Sequence, residues 1–317
     1  MNKNILKLFK ISLPILLGAF LIWYALQDVP LPVILKYWKS ADKIWIILGV
    51  FIGLLSHLSR AYRWLFQLEP LGYKIKVGNS IMAVFATYLI NYTIPRAGEV
   101  ARASILTNYE NVPFEKGFGT IVAERIADLL VMLLIIIITL FIEFDFIYNF
   151  LIEKFNPTKL IIGMLLLAIL GFIFIFFIKR STSKIAKKIK NFVNGIIEGA
   201  CSIFKMKKKW AFIAHTLFIW LMYVLMFYVT THAIQGLESI PFGAILIGFI
   251  LASFSIAATN GGIGSYPVAV FTAFSIFGIT KEPSYAFGWI MWASQTAMIV
   301  LLGGLSLLYL PIYNRNK

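Results

Sequence analysis

The stretch FGTIVAERIADLLVMLLIIIITLFI, residues 118–142, decides the fold of this chain. Its last fourteen residues carry no charge, and its full length exceeds the roughly 20 residues that a helix needs to cross about 30 Å of hydrocarbon. Five more segments have the same apolar character, so the sequence predicts about six full transmembrane helices. The other five segments are residues 8–26, 44–66, 158–178, 210–234 and 284–309.

Composition supports the same fold class, an all-α integral membrane protein. Of the 317 residues, 60% are hydrophobic and only 14% are charged, whereas a soluble domain carries about 25% charged residues. The amino-terminal segment 8–26 has an apolar run from Ile11 to Leu26 that follows three lysines within Met1–Lys10. No small-residue cleavage site comes after it, so we interpret the segment as a retained first helix and not as a signal peptide.

Two further apolar regions are interrupted in the middle. Residues 79–107 are broken at 91–99, and residues 241–278 are broken at 259–267, in both cases by proline and glycine. Inside a membrane such breaks persist only where protein or a water-filled cavity satisfies the backbone. We interpret both regions as broken re-entrant hairpins.

Loop charge predicts the orientation. Residues 179–209 hold ten basic side chains and one acid, and residues 143–157 hold three acids and one lysine. The bias of basic loops toward the cytoplasm places 179–209 and both termini inside the cell, in an inner (cytoplasmic) membrane, provided that hairpin 79–107 enters and leaves on that side. The basic loop is either an interfacial amphipathic helix attracted to anionic phospholipid or a solvated connector.

This topology predicts one polytopic domain made of two units of opposite orientation. The first unit covers residues 44–142 around hairpin 79–107, and the second covers residues 210–309 around hairpin 241–278. Inverted repeats with broken helices near the midplane are a recurring transporter design.

Charged residues within membrane segments are candidates for function because they are costly there. Arginine binds phosphate with two hydrogen bonds, so the arginines suit a phosphate-bearing head group and the acids serve as counter-charges. The alternative is an ion-pair lattice that fixes the first hairpin against segment 118–142. The candidates are Arg96, Glu99, Arg102, Glu124, Arg125 and Asp128.

Segment 44–66 adds a polar stripe of His57, Arg60 and Arg63 at intervals of three residues. Arg60 lies deeper in the segment and is a further candidate for substrate binding. We expect Arg63 to extend to the membrane interface and His57 to pack between helices.

The hairpin turns contain Pro95 and Gly98 in the first region and a glycine-rich stretch in the second. That stretch lacks the lysine of a nucleotide-binding loop, so we expect it to turn sharply and approach the first hairpin. Its residues are Asn260, Gly261, Gly262 and Gly264.

Several classes of function are not favoured by this sequence. Cys201 is the only cysteine, and the three histidines are far apart, so no metal or other cofactor is predicted. The positive charge follows membrane-flanking loops, which argues against nucleic-acid binding. No arrangement of nucleophile, base and orienting group is evident, so no catalytic residue is predicted.

The same motifs resemble the lysylphosphatidylglycerol synthase transmembrane-region family, also called flippase-like or UPF0104. They are Pro95-Arg-Ala-Gly-Glu99 with Arg102, Glu124-Arg125 with Asp128, and Asn260-Gly-Gly-Ile-Gly264. Many members have proline where this chain has Asn260, and an acid where it has Pro267. The resemblance implies a membrane domain that moves an aminoacylated or otherwise modified lipid between leaflets, here without the soluble aminoacyl-transferase domain.

The resulting hypothesis is a membrane lipid translocase for a phosphate-bearing lipid, either aminoacylated or polyprenyl-linked. Its expected partners are membrane lipids, including anionic phospholipid, with a homo-oligomer or a separate synthase as further alternatives. Two rival hypotheses are an intramembrane lipid-modifying enzyme and a non-transporting membrane anchor for a soluble synthase.

Overall fold

The computed structural model describes residues 20–94, 97–154 and 206–315, together with scattered positions between 162 and 190. Within these ranges the chain is helical and has no strand. Residues 20–28 are helical, and a short 3₁₀ turn covers Glu69–Leu71. In the three continuous ranges, ten α-helices follow residue 28: α1 (Leu31–Ser40), α2 (Lys43–Leu68), α3 (Val77–Thr93), α4 (Ala97–Glu110), α5 (Phe114–Ile142), α6 (Phe144–Lys154), α7 (Lys209–Thr231), α8 (Phe242–Ala258), α9 (Ser265–Ile276) and α10 (Lys281–Tyr313).

Four of these helices are long and apolar enough to cross a membrane. They are α2 with its 3₁₀ extension, α5, α7 and α10, of 29, 29, 23 and 33 residues. The all-α membrane fold is thereby confirmed, and these helices cover four of the six predicted spans. The predicted span 158–178, most of 8–26 and most of the basic loop 179–209 lie outside the described residues.

The two interrupted regions each form a pair of helices. In the first pair, the backbone N–H of Lys76 and the amide of Asn79 both donate to Glu110, at 3.0 and 2.6 Å. This joins the start of α3 to the end of α4. The second pair is α8 and α9, where the ring of Phe274 lies beside Gly248. Each region is therefore a helical hairpin, with its break where the proline and glycine residues predict it.

Helices α2 and α7 pack antiparallel along their length. Gly49 lies against Thr230 at one end, and Arg63 donates to Thr216 at the other. Small residues at such contacts let membrane helices approach closely. The predicted inverted repeat places these two helices as counterparts and stays a prediction.

Helix α10 contacts both hairpins. A Cβ at Gly303 would lie 2.7 Å from the Cβ of Leu89 on α3, and one at Gly288 would lie 2.6 Å from the Cα of Pro267 on α9. The two glycines therefore allow one helix to touch the first and second hairpins at different levels.

Two short helices, α1 and α6, were not predicted. Helix α6 occupies the acidic loop, and its Phe146 stacks on Phe277 with the ring centroids 4.3 Å apart. Helix α1 precedes Asp42, whose carboxylate accepts a 2.9 Å hydrogen bond from the N–H of Ile44 and so caps α2. The contact between Phe146 and Phe277 is tertiary and is not visible in local hydropathy.

An ion pair fastens the amino-terminal part of the chain to α10. Lys281 donates to Asp28 at 2.5 Å, and the hydroxyl of Tyr285 donates to the same carboxylate at 2.8 Å. The hydrogen bond from Lys281 lowers the pKa of Asp28 below its ordinary value of 3.8. Asp28 lies just beyond the predicted first span.

We expect this pair to make stability depend on pH in acid. Because the folded-state pKa of Asp28 is lowered, its contribution is present above the ordinary pKa and is lost as pH falls through the folded value. Asp28→Asn should reduce the free energy of unfolding by about 0.5–1 kcal/mol at neutral pH. Thermal melts in detergent should find the variant and wild type converging in strong acid, and a difference independent of pH would contradict this account.

Candidate functional site

Five charged residues meet in the interior and are named here the central cluster. Arg60 and Arg63 come from α2, Arg102 from α4, and Glu124 and Asp128 from α5. Glu124 lies ten residues from the start of α5, which corresponds to about 15 Å along the helix axis. The side chains of the three arginines are at most 3% exposed, and Glu124 is fully buried.

The cluster is held by shared ion pairs. Arg60 Nη1 lies 2.6 Å from both Glu124 Oε1 and Asp128 Oδ2. Arg102 donates to both oxygens of Glu124, at 3.1 and 3.3 Å, and Arg63 donates to Asp128 Oδ1 at 3.1 Å. The one-turn spacing of the two acids puts both on the face of α5 that meets α2. Two carboxylates thus form ion pairs with three guanidinium groups.

Aromatic and hydroxyl groups complete the surroundings. The guanidinium carbon of Arg102 lies 3.9 Å from the ring centroid of Trp64, a cation–π geometry. From α7, Thr216 accepts from Arg63 at 2.8 Å, and Trp220 Nε1 donates to Asp128 at 3.4 Å. These contacts fix the charged side chains in place.

A second ion pair, Arg125 with Glu99, is named here the outer pair. Its atoms lie 2.9 Å apart, and the side chains are 40% and 22% exposed. Arg125 Nη1 also lies 3.7 Å from Asp128 Oδ2. The outer pair is therefore adjacent to the central cluster but more accessible than it.

The central cluster has more positive than negative charge. Three arginines face two carboxylates, and the Nε–H groups of all three arginines lack a hydrogen-bond partner among the described residues. A buried charge is costly unless it is paired. Because guanidinium donors match phosphate oxygens, the arrangement suits an anionic, phosphate-bearing ligand.

The structure brings together most of the charged residues singled out in the sequence. Arg60, Arg102, Glu124 and Asp128 meet in the central cluster, and Glu99 and Arg125 form the outer pair. Pro95 and Arg96 lie outside the described residues.

The interpretation of Arg63 as an interface residue was wrong. Its side chain is fully buried and bonds to Asp128 and Thr216. Arg63 sits near the end of α2, but α7 covers that end, since the neighbouring ring of Phe212 lies 5.1 Å from the guanidinium. Proximity to the helix end therefore did not imply access to water.

Sequence reasoning also missed the uncharged partners. Tyr223 accepts from Arg60 Nη2 at 3.5 Å, and Thr216 accepts from Arg63. Both lie on α7, an apolar span with no motif, so only the fold reveals these contacts. His57 is buried as expected, with its ring 4.6 Å from that of Tyr88, but its Nδ1 has no partner among the described residues. Its three-residue spacing from Arg60 was the one available signal.

The glycine-rich turn meets the tip of the first hairpin. Gly261, with φ of +63°, lies against the ring of Tyr92, where a Cβ would overlap that ring. Trp292 Nε1 donates to the carbonyl of Gly261 at 2.8 Å, and Tyr92 and Thr296 share a 3.0 Å hydrogen bond.

The other predicted turn residues shape the backbone of the two hairpin turns. Gly262 and Gly264 also have positive φ, +80° and +71°, and Asn260 is buried. In the first hairpin, the N–H of Gly98 donates to Asn91 at 2.8 Å, which closes the turn.

Among the described residues, no group of three His, Cys, Asp or Glu side chains converges as a metal site would require. The central cluster consists of three arginines and two acids.

Comparison with known proteins gives one family match and two relatives. The family described as "Lysylphosphatidylglycerol synthase TM region" matches residues 11–303. The UPF0104 membrane protein MJ1595 of Methanocaldococcus jannaschii is 24% identical over 312 residues, covering 89% of this chain and 88% of the relative. Glycosyltransferase AglD of Haloferax volcanii is 33% identical over 92 residues, which cover 29% of this chain and 15% of that protein. No solved structure matches the chain.

Proposed function

Because the chain belongs to the lysylphosphatidylglycerol synthase transmembrane-region family, we propose that it is a lipid translocase that moves a phosphate-bearing lipid between leaflets. Membership in this family and the named relatives point to a lipid-related role in a membrane. The specific activity proposed here goes one step further and rests on the central cluster.

The observation that carries the proposal is the unbalanced charge of that cluster. Arg60, Arg63 and Arg102 are buried in a membrane protein with only two carboxylates to neutralise them. If the cluster served structure alone, balanced pairs would suffice at lower desolvation cost. A phosphate passing through would supply the missing negative charge and accept from the free Nε–H groups.

In this mechanism the two acids keep the arginines in position when no lipid head group is bound. Glu124 and Asp128 bind the arginines when no head group is present, and a bound phosphate adds negative charge beside them. Arg60 is suited to such binding, because it contacts both acids and can give up its contact with one of them while it keeps its contact with the other. The proposal requires no catalytic step.

We propose further that the chain lies in the cell's cytoplasmic membrane with its basic end inside. Lys208, just before α7, pairs with Glu69, just after α2, at 2.8 Å, and Asn314, just after α10, donates to Asn79 near the start of α3 at 2.7 Å. Because α3 follows the 3₁₀ turn that ends α2, these helix ends lie at one end of the bundle. The positive-inside bias supports a cytoplasmic position for this end. Its basic residues are Lys74, Lys76, Lys116, Lys207, Lys208, Lys209 and Arg315.

Leaflet transfer in proteoliposomes tests the function. Fluorescent phosphatidylglycerol, its lysyl form and a polyprenyl-phosphate sugar would be scored against empty vesicles, with wild type beside Arg60→Gln and the charge-preserving Arg60→Lys. We expect wild type to transfer at least one of these lipids. Arg60→Gln should slow transfer roughly 10- to 100-fold, as loss of a charge-assisted hydrogen bond predicts.

Arg60→Lys should lie between the two, since it keeps the charge but loses the planar fork. Lys116→Gln, a change of an exposed basic residue at the start of α5, is the matched control and should transfer at the wild-type rate. Absence of transfer for every lipid, with folded protein, would refute the translocase.

A further inference from the structure

We infer that the outer pair, Arg125 with Glu99, is an entry site at which a phosphate-bearing lipid head group moves sideways from the bilayer into the protein, between α4 and α5. This inference rests on the proposed function but concerns binding, which is measurable without transfer. In this inference Arg125 makes the first contact with the head group, and Glu99 competes with the phosphate for the guanidinium of Arg125.

Accessibility separates the outer pair from the central cluster. The side chain of Arg125 is 40% exposed and that of Glu99 is 22% exposed, whereas Arg60, Arg63 and Arg102 are at most 3% exposed. A ligand from outside therefore meets Arg125 before it meets the central arginines.

The surface around the outer pair is apolar. Val122 and Leu129 are 45% and 47% exposed and lie three residues before and four residues after Arg125, on the same face of α5. Val100, beside Glu99 on α4, is 47% exposed. Exposed apolar side chains on a membrane helix face lipid chains, so this surface fits the acyl chains of the lipid whose head group reaches Arg125.

The depth of Arg125 favours a polar group beside the exposed part of its guanidinium. It lies eleven residues from the start of α5, about 16 Å along the axis, within a hydrocarbon layer of about 30 Å. A guanidinium exposed at this depth is costly unless a polar group accompanies it. Glu99 supplies one partner, and the exposed remainder of the guanidinium suits the phosphate of a lipid.

A route leads from the outer pair into the central cluster. Arg125 Nη1 lies 3.7 Å from Asp128 Oδ2, and the same oxygen lies 2.6 Å from Arg60. When a phosphate displaces Glu99 from Arg125, Glu99 keeps Asn91, whose Nδ2 lies 3.4 Å away. The displaced acid is therefore still hydrogen-bonded, and the phosphate stands next to the arginines of the cluster.

Photocrosslinking of lipid tests this entry site. The photoreactive residue p-benzoylphenylalanine would replace Leu129, beside the outer pair, or Leu221, which is 60% exposed on α7 at a similar depth and serves as the control. Full-length protein in a maltoside detergent without phosphate would receive trace phosphatidylglycerol or diacylglycerol, each labelled on one acyl chain.

We expect phosphatidylglycerol to form more adduct than diacylglycerol at position 129 but not at position 221. Arg125→Gln should reduce the phosphatidylglycerol adduct roughly tenfold, as loss of one charge-assisted hydrogen bond predicts. Glu99→Gln should increase it, because the competitor is removed. Gel filtration and a thermal melt would verify that each variant is folded.

Equal adducts from the two lipids at position 129, or an adduct insensitive to Arg125→Gln, would overturn the entry site. Suppression of the adduct by equimolar glycerol phosphate would also overturn it, since the site would then take a soluble phosphate ester. Leaflet transfer distinguishes the two proposals. A selective adduct without transfer leaves the entry site standing and refutes the translocase, and transfer without a selective adduct does the reverse.

Discussion

Replacing Glu124 with glutamine is expected to lower the free energy of unfolding by about 3–5 kcal/mol, the usual cost of removing one partner from a buried ion pair. Glu124 is fully buried and lies within 3.3 Å of guanidinium nitrogens of Arg60, Arg63 and Arg102. Without its charge, Asp128 alone faces three buried arginines. The loss should appear as a lower melting temperature in detergent and as reduced recovery of monodisperse protein.

The matched control is Glu115→Gln in the first turn of the same helix. Glu115 is exposed, so its replacement should change stability by less than about 0.5 kcal/mol. Added phosphatidylglycerol should raise the melting temperature of Glu124→Gln more than that of wild type, because its phosphate replaces the missing charge. A Glu124→Gln protein as stable as wild type would contradict the central cluster as described.

Replacing Gly261 with alanine should lower the free energy of unfolding by about 2–5 kcal/mol. The backbone at Gly261 has φ of +63°, where a residue with a Cβ loses about 1–2 kcal/mol. The new Cβ also overlaps the ring of Tyr92, and overpacking of this kind costs about 1–3 kcal/mol. The substitution therefore pushes the two hairpin tips apart and weakens the 2.8 Å bond from Trp292 to the Gly261 carbonyl.

Two comparisons separate the backbone strain from the overlap. Gly236 has φ of +90°, and no atom lies within 4 Å of the position that a Cβ would take there, so Gly236→Ala measures the conformational cost alone. In a double-mutant cycle, Tyr92→Ala should recover part of the loss in Gly261→Ala. Equal melting temperatures for Gly261→Ala and Gly236→Ala would mean that the tips do not press on each other.

Much of the fold followed from the sequence because hydropathy and helix breakers act locally. Helices α5 and α10 are apolar over more than the thickness of the bilayer, and the break near Gly98 interrupts an otherwise helical pattern. The short helices α1 and α6 escaped prediction, since their stability depends on neighbours such as Phe277, far along the chain.

The charged members of the site could be predicted because ionisable residues are rare in membrane segments. The burial of Arg63 and the role of Thr216 could not. These residues are separated by 153 positions, and their contact exists only because α7 packs along α2. Tertiary packing decides whether an arginine near a helix end contacts water or another helix. The spacing of residues within one helix does not reveal that packing.

The two glycine contacts of α10 have a consequence for its length. Gly288 touches Pro267 of one hairpin and Gly303, fifteen positions later, touches Leu89 of the other. One residue inserted between these contacts would rotate the second by about 100° about the helix axis and turn it away from its hairpin. The helical phase between positions 288 and 303 thus sets the angular alignment of the two halves, and evolution can lengthen this chain at its loops far more easily than inside α10.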